Sequence, residues 1–295
     1  MGNELVKKIC LGTAQFGLDY GIANTGGKIP PKEIFEILEQ AKREGVDTLD
    51  TSSAYGDSES VLGRYPSAGN FKIISKMSLL DFKAGDIKDF AQAQITKTLT
   101  ALGTKELYGY LIQHFSSFRQ NLNVWDAMTE FKKRKTVRYI GFSLYKPEEL
   151  EFLFKNNIAF DLVQIPYSIF DRRFEPYFEI LKECGVQIFV RSVFLQGLIF
   201  VSDDKLVGSL SGAKTQLRKL QELSQEYKIA TSAICLNFPF LDPLVDKVVI
   251  GVDSLAQLKD NLDSLKMAGK VSEIEDYLKD VCISDEDILL PSRWK

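Results

Sequence analysis

The sequence predicts a single (β/α)8 barrel over residues 1–295, and three observations predict it. Short apolar runs of strand length alternate with helix-like stretches along the whole chain. Eight such runs can be read, and no Pro/Gly/Ser-rich linker divides them. Strict alternation implies parallel strands with helices outside them, and eight units suit closure into a barrel. The competing fold, an open doubly wound sheet, usually carries a glycine fingerprint for a nucleotide. There is no GxGxxG here. Gly12-x-x-x-x-Gly17 runs into Leu18-Asp19 and not Lys-Ser/Thr, so it is not a P-loop either.

The first strand, Ile9 to Thr13, leads into a glycine-rich loop that lasts to Gly27. Pro30-Pro31 opens a helix with Ile34, Ile37, Leu38 and Ala41 on one face and Gly45 as its stop. Val46 to Thr51 is the second strand, Ser58 to Arg64 a short helix, and Phe71 to Lys76 the third strand. Asp86 is the expected N-cap of a helix closed by Gly103, and Leu107 to His114 is the fourth strand. A helix over Leu122 to Lys135 precedes the fifth strand, Val137 to Phe142, and Pro147 starts the next helix. Asp161 to Ile165 is the sixth strand, and a helix over Glu175 to Glu183 leads to the seventh, Val186 to Val190. Helices are expected over Ser211 to Tyr227 and Thr231 to Phe238. The eighth strand is Lys247 to Gly251. A helix from Ser254 to Met267 closes at Gly269, another covers Val271 to Val281, and Leu289 to Lys295 is an irregular tail.

Composition narrows the function. A net charge of −3 argues against a nucleic-acid surface, and Lys132-Lys133-Arg134-Lys135 reads as a solvated helix end, where cations suit the dipole. Cys10, Cys184, Cys235 and Cys282 are scattered with no CxxC pair, which fits reduced thiols and neither a disulfide frame nor a zinc site. No metal ligands are assigned. Met1 to Lys8 lacks the apolar run of a signal peptide, and no stretch approaches the roughly 20 apolar residues that span a bilayer. A cytoplasmic protein with no membrane or nucleic-acid partner is expected, acting as a monomer or weak homo-oligomer.

In a barrel the active site lies at the C-terminal ends of the strands. Those positions hold Asp50, Lys76 and His114, the only histidine, with Tyr55 on the loop after the second strand. Singly, each has a bland reading: an N-cap, a surface phenol, a rim lysine, an edge histidine. At adjacent strand ends they suggest proton delivery to a carbonyl oxygen. An ammonium beside Tyr55 should lower its ordinary pKa of about 10 and make it a better acid. Asp50 would hold Lys76, and His114 would orient the carbonyl. GxSxG, HExxH and DxDxDG signatures are absent. Proton donation to a carbonyl needs a matching hydride source, which implies a nicotinamide.

These residues resemble the aldo-keto reductase superfamily over nearly the whole chain. Its tetrad falls on Asp50, Tyr55, Lys76 and His114, within Asp50-Thr51-Ser52-x-Ala54-Tyr55-Gly56 and Gln113-His114-Phe115. Gly141-Phe142-Ser143 looks like the element whose serine binds the nicotinamide carboxamide, and Val163 to Tyr167 like the one whose glutamine, Gln164, does the same. Arg191-Ser192-Val193-Phe194-Leu195-Gln196-Gly197 matches the loop around the pyrophosphate. Ile250 to Asn261 is similar to the adenosine-binding segment, with Asn261 at the adenine position. The resemblance implies a barrel that binds NADPH or NADH in extended form, through Gly12, Thr13, Ser143, Gln164, Arg191, Ser192, Gln196, Gly251, Ser254, Gln257 and Asn261. It also implies transfer of the 4-pro-R hydride to an aldehyde or ketone.

Three departures stand out. Leu144 follows the serine where relatives often have asparagine. Arg191 stands where many relatives stack an aromatic ring on the nicotinamide; a guanidinium also stacks, and its charge should favour the reduced ring. NADP-specific relatives place Lys or Arg where Gly251 and Gln257 stand, so the phosphate loses charge-assisted hydrogen bonds; Lys259 is the candidate substitute. Cofactor preference stays open. Phe16, Tyr20, Tyr145, Phe170 and Trp294 are rim candidates compatible with sugars or aromatic aldehydes, a sugar or sugar derivative being the first choice. The other class of function is a cofactor-binding regulatory subunit with little turnover.

Overall fold

A computed structural model describes residues 2–294. Met1 and Lys295, at the ends of the N-terminal run and the tail read above, lie outside the described residues. Eight parallel strands pair in chain order and close, β8 bonding β1. They are β1 (Ile9–Gly12), β2 (Thr48–Asp50), β3 (Lys72–Met77), β4 (Leu107–Ile112), β5 (Val137–Ser143), β6 (Leu162–Pro166), β7 (Gln187–Arg191) and β8 (Lys247–Ile250). The main outer helices are α1 (Pro31–Glu44), α2 (Ser58–Gly63), α3 (Ile87–Leu102), α4 (Val124–Lys133), α5 (Pro147–Lys155), α6 (Phe178–Glu183), α7 (Lys214–Tyr227), α8 (Thr231–Asn237) and α9 (Leu255–Ser264).

Local signals set the helix ends. Pro31 opens α1, where its missing N–H costs nothing. The Asp86 carboxylate accepts from the Lys88 amide at 2.7 Å and caps α3. Gly45 and Gly103 end α1 and α3 in the left-handed conformation, at φ 102° and 63°.

Several boundaries differ from expectation. The loop after β1 contains a short helix, Ala14–Gly17, and a helix Phe115–Gln120 precedes α4. Pro176 leaves Glu175–Tyr177 as a tight 3-10 turn before α6. Gly208–Ala213 is likewise 3-10, so α7 starts at Lys214. Gly269 lies inside the helix Ala268–Glu273 and closes nothing. The single helix expected over Val271 to Val281 is interrupted at Ile274, leaving Ala268–Glu273, Glu275–Leu278 and a 3-10 turn at Lys279–Val281. Glu286–Leu289 is helical up to the start of the expected irregular tail, and within the tail Pro291–Arg293 forms a 3-10 turn.

Alternation along each strand sorts its side chains into two cores. One set packs outward against the helices, including Leu11, Leu49, Ile73, Ile112, Phe142, Val163, Val190 and Ile250. The other fills the barrel: Cys10, Ile74, Leu111, Leu162, Phe189 and Val249, with Tyr108 and Tyr139 packed on them. Two residues on from this inner layer, toward the C-terminal ends, come Gly12, Lys76, Gln113, Gln164, Arg191 and Gly251. Ser143 and Asp50 hold the matching places after Gly141 and Thr48. All eight border one cavity. The site is the top layer of the barrel interior.

Candidate active site

β2 ends at Asp50 and pairs with β3, so that Asp50 faces Ile74 and Lys76 lies one step beyond. Both side chains are almost wholly buried, and Lys76 Nζ meets Asp50 Oδ2 at 2.6 Å and Oδ1 at 2.7 Å. The ammonium also donates to the Thr51 carbonyl at 3.0 Å and to the Tyr55 hydroxyl oxygen at 3.4 Å. Its nitrogen stands 5.0 Å from the centre of the Tyr55 ring. Burial alone would lower the Lys76 pKa, but the charges and hydrogen bonds of Asp50 and Tyr55 outweigh it and the net shift is upward. Lys76 is an ammonium.

For Tyr55 the balance differs from expectation. Burial raises its pKa more than the Lys76 charge lowers it, and the phenol ends above its ordinary 10.0. The ammonium beside it does not make Tyr55 a stronger acid overall. Because Lys76 donates into the phenol oxygen, the phenolic proton is left to point elsewhere.

The cavity beside these groups measures about 390 Å³. Asp50, Tyr55 and Lys76 border it, as do Gly12, Thr13, Ser143, Gln164, Arg191, Ser192, Gln196, Gly251, Gln257 and Asn261. Gln164 Nε2 donates to Asp50 Oδ1 at 2.7 Å, so the glutamine also braces the ion pair. Thr13 Oγ1 donates to the Asp50 carbonyl, tying β1 to β2 at the rim.

The Arg191 guanidinium lies 4.1 Å from the Tyr145 ring centre and donates to the Leu144 carbonyl at 2.9 Å and to Ser192 Oγ at 3.2 Å. The loop after it is backbone-strained, with φ of 68° at Ser192, 43° at Leu195 and 51° at Gln196. That conformation carries Gln196 across to the β1 loop, where its carbonyl accepts from the Ile22 amide and its Nε2 donates to the Tyr20 hydroxyl. The two loops meet there, and both border the cavity.

Two expected residues stand outside it. Ser254 caps α9, its hydroxyl accepting from the Gln257 amide at 3.2 Å. His114 begins the helix Phe115–Gln120 and does not border the cavity. Strand parity explains this: Ile112 points outward, so position 114 inherits the outer side and Gln113, in phase with Leu111, the inner one. His114 Nδ1 is buried without a hydrogen-bond partner, and burial lowers the ring's pKa. Of the rim candidates, Tyr20 and Tyr145 border the cavity. Phe16 and Phe170 are core residues, and Trp294 packs against that core. Gln113, Asp253 and Asp260 line the cavity without having been expected there. Parity with Leu111 signals the first, and helical spacing with Gln257 and Asn261 on α9 signals Asp260; Asp253 precedes the helix and has no such signal.

The sequence profile of the aldo/keto reductase family matches residues 8–277. The chain belongs to this family. Among curated relatives, an uncharacterized oxidoreductase of Bacillus subtilis, YqkF, is 24% identical over 286 residues, covering 88% of this chain and 91% of that protein. A second B. subtilis oxidoreductase, YrpG, is 22% identical over 302 residues, with 89% and 88% coverage. Among solved structures, the holo form of aldo-keto reductase AKR11C1 from Bacillus halodurans superposes with a TM-score of 0.75 at 20% identity, covering 94% of this chain and 93% of that one. The aldo-keto reductase PA4992 from Pseudomonas aeruginosa gives 0.66 at 18%, with 90% of each chain covered. At such identities the superpositions speak for the barrel alone; membership rests on the profile. Among the described residues no helix is long and apolar enough to cross a membrane.

Proposed function

We propose that this aldo/keto reductase interconverts an aldehyde or ketone with its alcohol, using NADH or NADPH, with Tyr55 as the proton donor and acceptor. The observation that carries the reading is the Lys76 hydrogen bond into the phenol oxygen, which leaves the Tyr55 proton free at the cavity wall. The donor set fits a nicotinamide dinucleotide. Ser143 and Gln164 offer amide-matching groups at the barrel mouth, the 192–197 loop borders the middle, and Asp253 keeps a buried carboxylate oxygen without a partner at the far end. When bound, that cofactor supplies the hydride.

The chain's own part is electrostatic. Asp50 holds Lys76 charged in the barrel interior, and Lys76 stabilises negative charge that develops on the Tyr55 oxygen as its proton leaves. Gln113 takes the orienting place expected of His114. Its Oε1 accepts from Ser52 Oγ at 2.5 Å, which leaves the amide N–H groups to donate to a carbonyl oxygen. Tyr20, Tyr145 and Gln113 make a wall of phenols and an amide, and a hydroxyl-rich substrate such as a sugar or sugar derivative suits it.

The test is Tyr55→Phe, assayed with sugar and aromatic aldehydes and both reduced cofactors. Turnover should fall by about 10²–10⁴-fold, the usual worth of a positioned acid, with cofactor binding kept. Wild-type turnover in the variant would refute the assignment. A protein that binds cofactor yet turns over no carbonyl, even with Tyr55 intact, would be a regulatory subunit.

A further inference from the structure

The cavity has two ends. One is the barrel mouth, where Asp50, Tyr55 and Lys76 meet. The other runs past Gly251 onto α9, where Asp253, Gln257, Asp260 and Asn261 border it. A dinucleotide whose reacting ring sits against Tyr55 places its adenosine at the second end, a step that rests on the oxidoreductase reading above.

The charge at that end has one sign. Among the described residues, Asp253 and Asp260 are the ionisable groups bordering it. The two cations that border the cavity are both committed at the mouth, Lys76 to Asp50 and Arg191 to Tyr145 and Leu144. Lys259 does not fill the gap. It lines a different hollow with Lys32 and Arg43, on the outer side of α1 and α9. At about 100° per residue, position 259 is turned roughly 200° from both 257 and 261, which face the cavity.

Asp253 is also short of partners. Its Oδ1 is buried without a hydrogen bond, and its Oδ2 accepts one long bond, 3.3 Å, from Gln257 Nε2. An unsatisfied buried acceptor is costly, and a donating hydroxyl relieves it. The ribose of an unphosphorylated adenosine offers such a hydroxyl. A 2′-phosphate instead brings about −1.5 to −2 of charge and acceptor oxygens only. Against two carboxylates and no cation, that charge is repelled, and the repulsion strengthens where water is partly excluded.

We infer that the chain selects NADH over the 2′-phosphorylated dinucleotide, with Asp253 and Asp260 as the residues that discriminate. The experiment is a fluorescence titration of the full chain with NADH and with NADPH, for the wild type, Asp253→Asn and Asp253→Asn/Asp260→Asn. Wild type should bind NADH at least about tenfold more tightly, and the double variant should gain about tenfold in NADPH affinity. A gain of affinity cannot come from misfolding. Equal or tighter NADPH binding by the wild type would overturn the selection. An NADPH/NADH ratio unmoved in both variants would overturn the role of the two carboxylates. Binding of neither cofactor by the wild type would remove the oxidoreductase reading and this inference together.

Discussion

Gly17 and Tyr55 meet backbone to backbone. A Cβ on Gly17 would stand 1.8 Å from the Tyr55 carbonyl oxygen and 2.7 Å from the Ser58 amide. The contact is mutual, since a Cβ on Gly56, at φ 57°, would stand 2.3 Å from the Gly17 carbonyl. The loop that carries the phenol is therefore seated on the short helix Ala14–Gly17, and a side chain at the seat would lift it. The second glycine of Gly12-x-x-x-x-Gly17 thus positions Tyr55.

Gly17→Ala should accordingly cost about 1–3 kcal/mol of stability, as overpacking does, and lower turnover as well by shifting the phenol. Gly69→Ala is the control, because a Cβ there meets nothing within 4 Å. It should stay within about 0.5 kcal/mol. Urea unfolding and initial rates on the two variants check both statements; an active, fully stable Gly17→Ala would show the seat to be unimportant.

Lys76 and Asp50 are buried together, so removing one partner strands the other. Lys76→Met should destabilise the fold by about 3–5 kcal/mol, the usual consequence of an uncompensated buried charge. Adding Asp50→Leu should restore much of that loss, since two apolar side chains leave no charge to solvate. Neither variant should turn over substrate. Should the double variant prove less stable than the single one, the pair would not be what makes Lys76→Met costly.

Burial raises the Tyr55 pKa above its ordinary 10.0 despite the ammonium beside it. The phenol stays protonated through neutral pH, so the donor form needed for carbonyl reduction is fully present there. Reduction kcat should show no basic limb from Tyr55 below about pH 10, whereas alcohol oxidation, which needs a proton acceptor, should climb with pH. A pH–rate profile in each direction tests this, and a basic limb of reduction near pH 7 would contradict it.

Much of the barrel was legible because it depends on local pattern. Apolar runs of strand length, Pro31 before α1 and Gly45 after it, and the alternation of strand with helix are nearest-neighbour signals. They put Asp50 and Lys76 at strand ends and Tyr55 on the following loop without reference to distant residues. Gly269 shows where such signals fail: a glycine closes a helix where its backbone turns left-handed, and Gly269 instead stays within the helix Ala268–Glu273.

The sequence by itself therefore determined the barrel, the carboxylate–ammonium–phenol group and the segments that wall the cavity. Tertiary structure alone decided which way particular side chains face and how charges balance. His114 and Gln113 are adjacent in sequence, yet strand phase set by pairing with β3 and β5 gives the cavity to the glutamine. Tyr55 lies beside an ammonium as expected, but burial by the surrounding chain outweighs that charge. Lys259 stands two residues from Gln257, and the docking of α9 turns it to the outer surface while Asp253 and Asp260 keep the cavity. Orientation and desolvation are sums over residues far apart in the chain, and only the closed fold brings them together.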